Sequence, residues 1–138
     1  MEAVQEITRS VVIHAGRERV WKALTSPEQI SKWFEKFDFA QLKAGEPATM
    51  SDHKEIAAEI AIVEPMDRFG FRWQIAPPNP VKTLVIFTLE TVPEGTRVTV
   101  NETGIDALPE DVRAARFADN VGGWAEKMPS LANYIEGK

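Results

Sequence analysis

Val121, Trp124, Met128, Leu131 and Ile135 recur at steps of three and four along the last third of the chain. That spacing stacks all five side chains on one face of a long helix, predicted to start at Pro109 and to run to Ile135. The stretch before it, from Glu55 to Thr103, reads as consecutive β-strands joined by turns. A run of antiparallel strands followed by one long amphipathic helix buries both apolar faces when the sheet curves around the helix. The space between them is then filled by side chains or left partly open as a ligand cavity, and the functional reading turns on which.

At 138 residues the chain is expected to form one domain, spanning positions 1–138. A hydrophobic content of 43% suffices for a core without covalent staples. There is no cysteine, which excludes disulfides, thiolate catalysis and cysteine-ligated zinc and fits a reducing compartment. A net charge of -5 argues against a nucleic-acid partner, which needs a basic surface. No apolar run approaches the ~20 residues of a membrane span, and Met1 to Arg9 lacks a basic-then-apolar signal pattern. The expectation is a soluble, cytoplasmic protein.

Along the chain, Val4 to His14 reads as a first strand, followed by a turn at Ala15-Gly16-Arg17 and a short helix from Glu18 to Leu24. A second short helix starts at Pro27, with Ser26 suited to cap it and Ile30, Trp33 and Phe34 turned inward. Phe37 to Leu42 and Ala48 to Met50 are candidate short strands, separated by a turn from Lys43 to Pro47. Lys54 to Glu64 is a longer strand. Arg68 to Ile75 places Phe69, Phe71, Trp73 and Ile75 on one face and Gly70, Arg72 and Gln74 on the other. Ala76-Pro77-Pro78-Asn79-Pro80 cannot continue a strand. Val81 to Thr91 and Thr96 to Thr103 form a hairpin through Val92-Pro93-Glu94-Gly95.

These elements carry specific residues in a specific order. Val20-Trp21 lies in the first helix, Trp33-Phe34 follows Ser26-Pro27-Glu28, and Val63-Glu64-Pro65 leads to Phe69 and Trp73. Leu89-Glu90 precedes Gly95-Thr96-Arg97-Val98-Thr99-Val100, and Gly123-Trp124 sits in the long helix. In this order the chain resembles the START-like, or SRPBCC, superfamily, and within it the bacterial branch related to the C-terminal domain of the Hsp90 ATPase activator Aha1. The resemblance implies an α+β helix-grip fold, a curved antiparallel sheet wrapped around the C-terminal helix over a deep cavity. Members of the superfamily bind lipids, polyketides, hormones or aromatic compounds, and some are enzymes.

The chain departs from that pattern twice. Pro129 follows Met128 where related helices carry leucine, and it removes the hydrogen bond to Ala125; with Gly122-Gly123 a turn and a half earlier, this predicts a bent or broken helix. Gly122-Gly123 itself reads as a close-packing or kink site. In the strand from Val81, Leu84 and Ile86 face outward if Val85, Phe87 and Leu89 face the helix, and an apolar outer strip is a candidate homodimer contact.

Few residues suit catalysis. His14 and His53 lack the spacing of metal ligands and read as strand-end and loop residues in water. No phosphate loop and no nucleophile elbow occur. No catalytic residue, metal or cofactor is assigned. Inward carboxylates are the exception. If Val98 and Val100 point inward, so does Glu102. Glu59 points inward only if Ala57, Ala61 and Val63 form the inner face of their strand, against a competing face of Ile56, Ile60 and Ile62. A buried Glu102 needs a partner; Arg72 and Arg97 qualify only if a bulge re-aims them. Trp73, Phe87 and Trp124 come from elements facing one another and form a candidate pocket wall, with Ala57, Ala58 and Ala61 leaving room.

The expected function is binding of a small hydrophobic or amphipathic ligand between sheet and C-terminal helix, with Trp33, Phe71, Trp73, Phe87, Val100, Glu102, Trp124 and Met128 as candidate ligand-binding residues. The alternative is a protein-interaction module, resembling the Hsp90 activator or homodimeric through Leu84 and Ile86. An enzyme using Glu102 or Glu59 ranks behind both.

Overall fold

The computed structural model describes residues 6–50 and 56–137. His53 and the first two residues of the strand expected from Lys54 lie outside them. Strands β1 (Ile7–Ile13), β2 (Phe37–Asp38), β3 (Pro47–Met50), β4 (Ala57–Glu64), β5 (Arg68–Gln74), β6 (Lys82–Val92) and β7 (Gly95–Thr103) form one antiparallel sheet in the order β1-β7-β6-β5-β4-β3-β2. Helices α1 (Arg17–Thr25) and α2 (Pro27–Trp33) follow β1, and α3 (Glu110–Glu136) closes the chain. Because β1 and β2 occupy opposite edges of the sheet, α1 and α2 are the link that carries the chain from one edge to the other.

Alternation decides what each strand buries. In β7, Thr96, Val98, Val100 and Glu102 are buried and the residues between them are not. In β6 the buried set is Thr83, Val85, Phe87 and Leu89, which leaves Leu84 and Ile86 half-buried on the outer face. Phe69 and Phe71 of β5 join the same inner face. Opposite them lie Val20 and Leu24 of α1, Ile30 and Trp33 of α2, and Trp124, Met128 and Leu131 of α3, all buried.

Strand β4 follows neither of the two simple registers. Ala58 and Ile60 face inward, opposite Trp73 and Phe71, but the pairing slips between Ile60 and Ile62, and Val63 then faces Phe69. The extra residue, Ala61, reverses the parity of the strand. The expected inner set of Ala57, Ala61 and Val63 therefore holds only for Val63, and the competing set only for Ile60 among the strand residues. Glu59 points outward, where Arg72 lies at 3.9 Å and Lys82 at 3.2 Å.

Four further expectations are corrected. Helix α3 is continuous, with Pro129 inside it. Pro129 and Ala125 are both exposed, so the carbonyl that loses its amide partner faces water, and the helix need not break to satisfy it. Gly122 and Gly123 serve no close packing, since a Cβ on either would meet nothing within 4 Å. Ser26 precedes α2 as expected but makes no side-chain capping bond. The strand expected from Phe37 to Leu42 shortens to two residues, paired with Met50 and Thr49.

Candidate functional site

Glu102 is fully buried and is held from three directions. Period-two alternation in β7 turns it inward. On its flank, β5 supplies Trp73, whose Nε1 donates to Oε2 at 2.9 Å, and β6 supplies Thr83, whose Oγ1 donates to the same oxygen at 2.5 Å. From above, α3 supplies Trp124, whose Nε1 donates to Oε1 at 2.8 Å, and Asn120, whose Nδ2 donates to Oε1 at 2.9 Å. Asn120 and Trp124 are one helical turn apart and so share a face. Each carboxylate oxygen receives two donors, which fills the acceptor capacity of the group.

All four donors are neutral. Among the described residues, no lysine, arginine or histidine forms an ion pair with Glu102. The two arginines considered from sequence go elsewhere: Arg72 to Glu59, and Arg97 to Glu90 at 3.0 Å. A buried charge without a counter-ion is costly, and here the compensation comes from hydrogen bonds to an ionic acceptor, each contributing about 1.5–3 kcal/mol.

Three of those donors, Trp73, Asn120 and Trp124, also line a cleft of about 150 Å³ that opens to solvent. Phe34 and Gly123 complete its inner wall, and Glu35, Asp119 and Lys127 stand around it. The Phe34 ring stacks on Trp124 with centroids 5.5 Å apart and 6° between planes, and lies 5.6 Å from Trp73. Lys127 donates through Nζ to the Phe34 carbonyl at 3.0 Å, tying α3 to the end of α2. The carboxylate of Glu102 thus sits one side chain behind the cleft wall.

The eight candidate residues divide into two groups. Trp73 and Trp124 line the cleft and Glu102 lies behind them. Phe71, Phe87, Val100, Met128 and Trp33 are packed in the core instead. Trp33 ties α2 to α1 by donating Nε1 to the Ala23 carbonyl at 2.8 Å. Phe87 meets Trp124 edge-on at 5.8 Å and Phe71 meets Trp73 edge-on at 5.6 Å, so both form a second layer behind the cleft. The rings therefore form a packed layer between the cleft and the rest of the core. Asn120, Thr83, Phe34 and Lys127 were not among the candidates. Asn120 follows from Trp124 by the four-residue helical step, and Thr83 from Val85 by the two-residue strand step. Among the described residues, no group of three or more potential metal ligands occurs. No helix is long and apolar enough to cross a membrane.

A curved antiparallel sheet holding a long C-terminal helix, with two short helices after the first strand, is the α+β helix-grip architecture of START-like proteins. Residues 14–136 match the family described as Activator of Hsp90 ATPase homolog 1-like protein, and the chain belongs to that family. No curated protein matches it. Among solved structures it is similar to protein MLL2253 from Mesorhizobium loti, with 26% identity, a TM-score of 0.82 and coverage of 96% of this chain and 98% of that one. It is also similar to DynU16, a protein of the dynemicin biosynthetic locus, with 27% identity and a TM-score of 0.78; the match covers 97% of this chain but 48% of DynU16. Protein BH1534 from Bacillus halodurans shares the fold at 21% identity and a TM-score of 0.77, over 94% of this chain and 96% of that one.

Proposed function

We propose that this chain binds a small apolar or amphipathic molecule, about the size of one aromatic ring, in the cleft between β5 and α3. The observation that carries this reading is the convergence of Trp73, Asn120 and Trp124 on Glu102 from behind the cleft wall. Pockets commonly combine an apolar lining with a few fixed polar groups. At about 150 Å³ the cleft is too small for a lipid or a polycyclic ligand; an apolar cavity of roughly that volume holds a single benzene-sized ring. Burial of that ring contributes about 25 cal/mol per Å², less the cost of ordering. Both oxygens of Glu102 are occupied by protein donors, which suits the carboxylate to fixing the wall and leaves it no free lone pair for a substrate proton.

The test is a titration with toluene, benzyl alcohol and indole by calorimetry, with tryptophan emission as a second signal wherever the probe is non-fluorescent. A saturable response is expected, and Gly123→Leu, which fills the cleft from the helix side, is expected to remove it. Absence of saturation with all three ends the reading.

A second reading rests on the outer face of the sheet, where Leu84 and Ile86 lie with Ile62 away from α3. In it the chain is a homodimer or another protein-interaction module, and the ring-filled interior serves only packing.

A further inference from the structure

We infer that the cleft selects a small organic cation, an ammonium group carried on one ring or a short apolar arm; this deepens the binding reading above and rests on it. A carboxylate only accepts, and an indole nitrogen only donates. Glu102 therefore fixes the amide of Asn120 with its NH₂ turned inward, at 2.9 Å from Oε1. The amide oxygen of Asn120 is left on the other side, in a residue that lines the cleft, with no partner among the described residues. For the same reason Trp73 and Trp124 spend their N–H groups on Glu102 and offer the cleft no donor; Trp124 is buried with Phe34 stacked on it, so the half-buried Trp73 supplies the aromatic surface within reach.

What the wall offers is thus an amide acceptor, aromatic surface and, behind both, an anion with no counter-ion. The other charges do not reverse this. Asp119 is paired with Arg116 at 3.1 Å, and Lys127 stands with Glu35 around the same opening. Lys127 forms no ion pair with Glu35 among the described residues and is bound instead to the Phe34 carbonyl; these four charges sum to zero, and the negative charge of Glu102 remains. Aromatic rings attract cations through their quadrupole, an amide oxygen accepts from an ammonium N–H, and a buried anion acts strongly at short range in a poorly solvated site. All three favour a positive guest, and none favours a negative one.

The experiment compares three probes of equal size at neutral pH by calorimetry: benzylammonium, benzyl alcohol and benzoate, with toluene as the apolar reference. The expected order is benzylammonium tightest, roughly tenfold over benzyl alcohol, and benzoate weakest. In Glu102→Gln the ratio of ammonium to alcohol affinity is expected to fall toward one. Should that variant fail to fold, Asn120→Leu, which removes the acceptor, is expected to lower the same ratio at least threefold. Benzyl alcohol or benzoate binding as tightly as benzylammonium to the unaltered protein overturns the inference while leaving the binding reading in place. A ratio unchanged in the folded variant overturns it equally. Failure of all four probes to bind ends both.

Discussion

Glu102 is stabilised by four neutral donors from three elements, so its removal has a cost that solvent exposure alone does not suggest. Glu102→Ala leaves buried donors on Trp73, Thr83 and Trp124 without acceptors, at about 1–3 kcal/mol for each. A loss of more than about 3 kcal/mol is expected in urea denaturation, placing it among the severe single substitutions. A surface pair behaves differently. Arg68 clasps Glu64 with two bonds, Nε to Oε1 at 2.8 Å and Nη2 to Oε2 at 2.9 Å. The side-chain hydrogen bond from Arg68 lowers the Glu64 pKa; slight desolvation opposes it, and the guanidinium charge adds to it. A depressed folded pKa means that the pair contributes stability above the usual carboxylate range and loses it as pH falls through the depressed value. NMR titration should find Glu64 titrating below the usual glutamate value, and Arg68→Met should return it to that value. The inward turn of Glu102 was legible from Val98 and Val100 by period two. Its partners were not: they come from β5, β6 and α3, and alternation within β7 is silent on which other elements settle against it.

Helix α3 carries two glycines with open space around them. Gly122 is exposed, and an added Cβ meets nothing, so Gly122→Ala is expected to raise stability by about 0.5–1 kcal/mol with no effect on binding. Gly123→Ala should stabilise by a similar amount and yet weaken toluene binding, because Gly123 lines the cleft. Thermal melts with parallel titrations separate the two. Gly95, in the β6–β7 turn, is the opposite case. Its φ is +146° and a Cβ would stand 2.2 Å from the Ile13 carbonyl oxygen. Gly95→Ala is expected to destabilise by more than about 1 kcal/mol. The apolar stripe of α3 and the β6–β7 hairpin were readable because periodicity and turn chemistry are local. The bulge in β4 was not, since a parity reversal depends on pairing with β5. Of the bend or break expected at Pro129, the break does not occur, because its consequence depends on which side of the helix is wet, a property of the packed molecule.

At the scale of the whole molecule, the aromatic side chains other than Phe117 and Tyr134 form one connected set linking α2, the sheet and α3. Phe34 stacks on Trp124, Trp124 meets Phe87, and Phe87 stacks on Phe69 at 6.5 Å. Stability should therefore be shared across elements. A double-mutant cycle of Phe34→Leu and Trp124→Leu is expected to show a coupling above about 0.5 kcal/mol in denaturation. Light scattering decides between the two functional readings at this scale: the cleft reading expects a monomer whose mass Leu84→Lys leaves unchanged, whereas the interface reading expects a dimer that Leu84→Lys dissociates. The general architecture was legible from sequence because the order of strands and helices leaves one economical way to bury both faces. The volume left inside was not, because it depends on how closely the rings interlock.

The two indole groups anchored on Glu102 also make the protein its own reporter. Their proton resonances should lie downfield and exchange slowly with deuterium, well resolved from that of a tryptophan with no ionic acceptor such as Trp33. Any guest entering beside them would move those two signals first, and occupancy could be followed residue by residue without a label, a dye or a change to the chain.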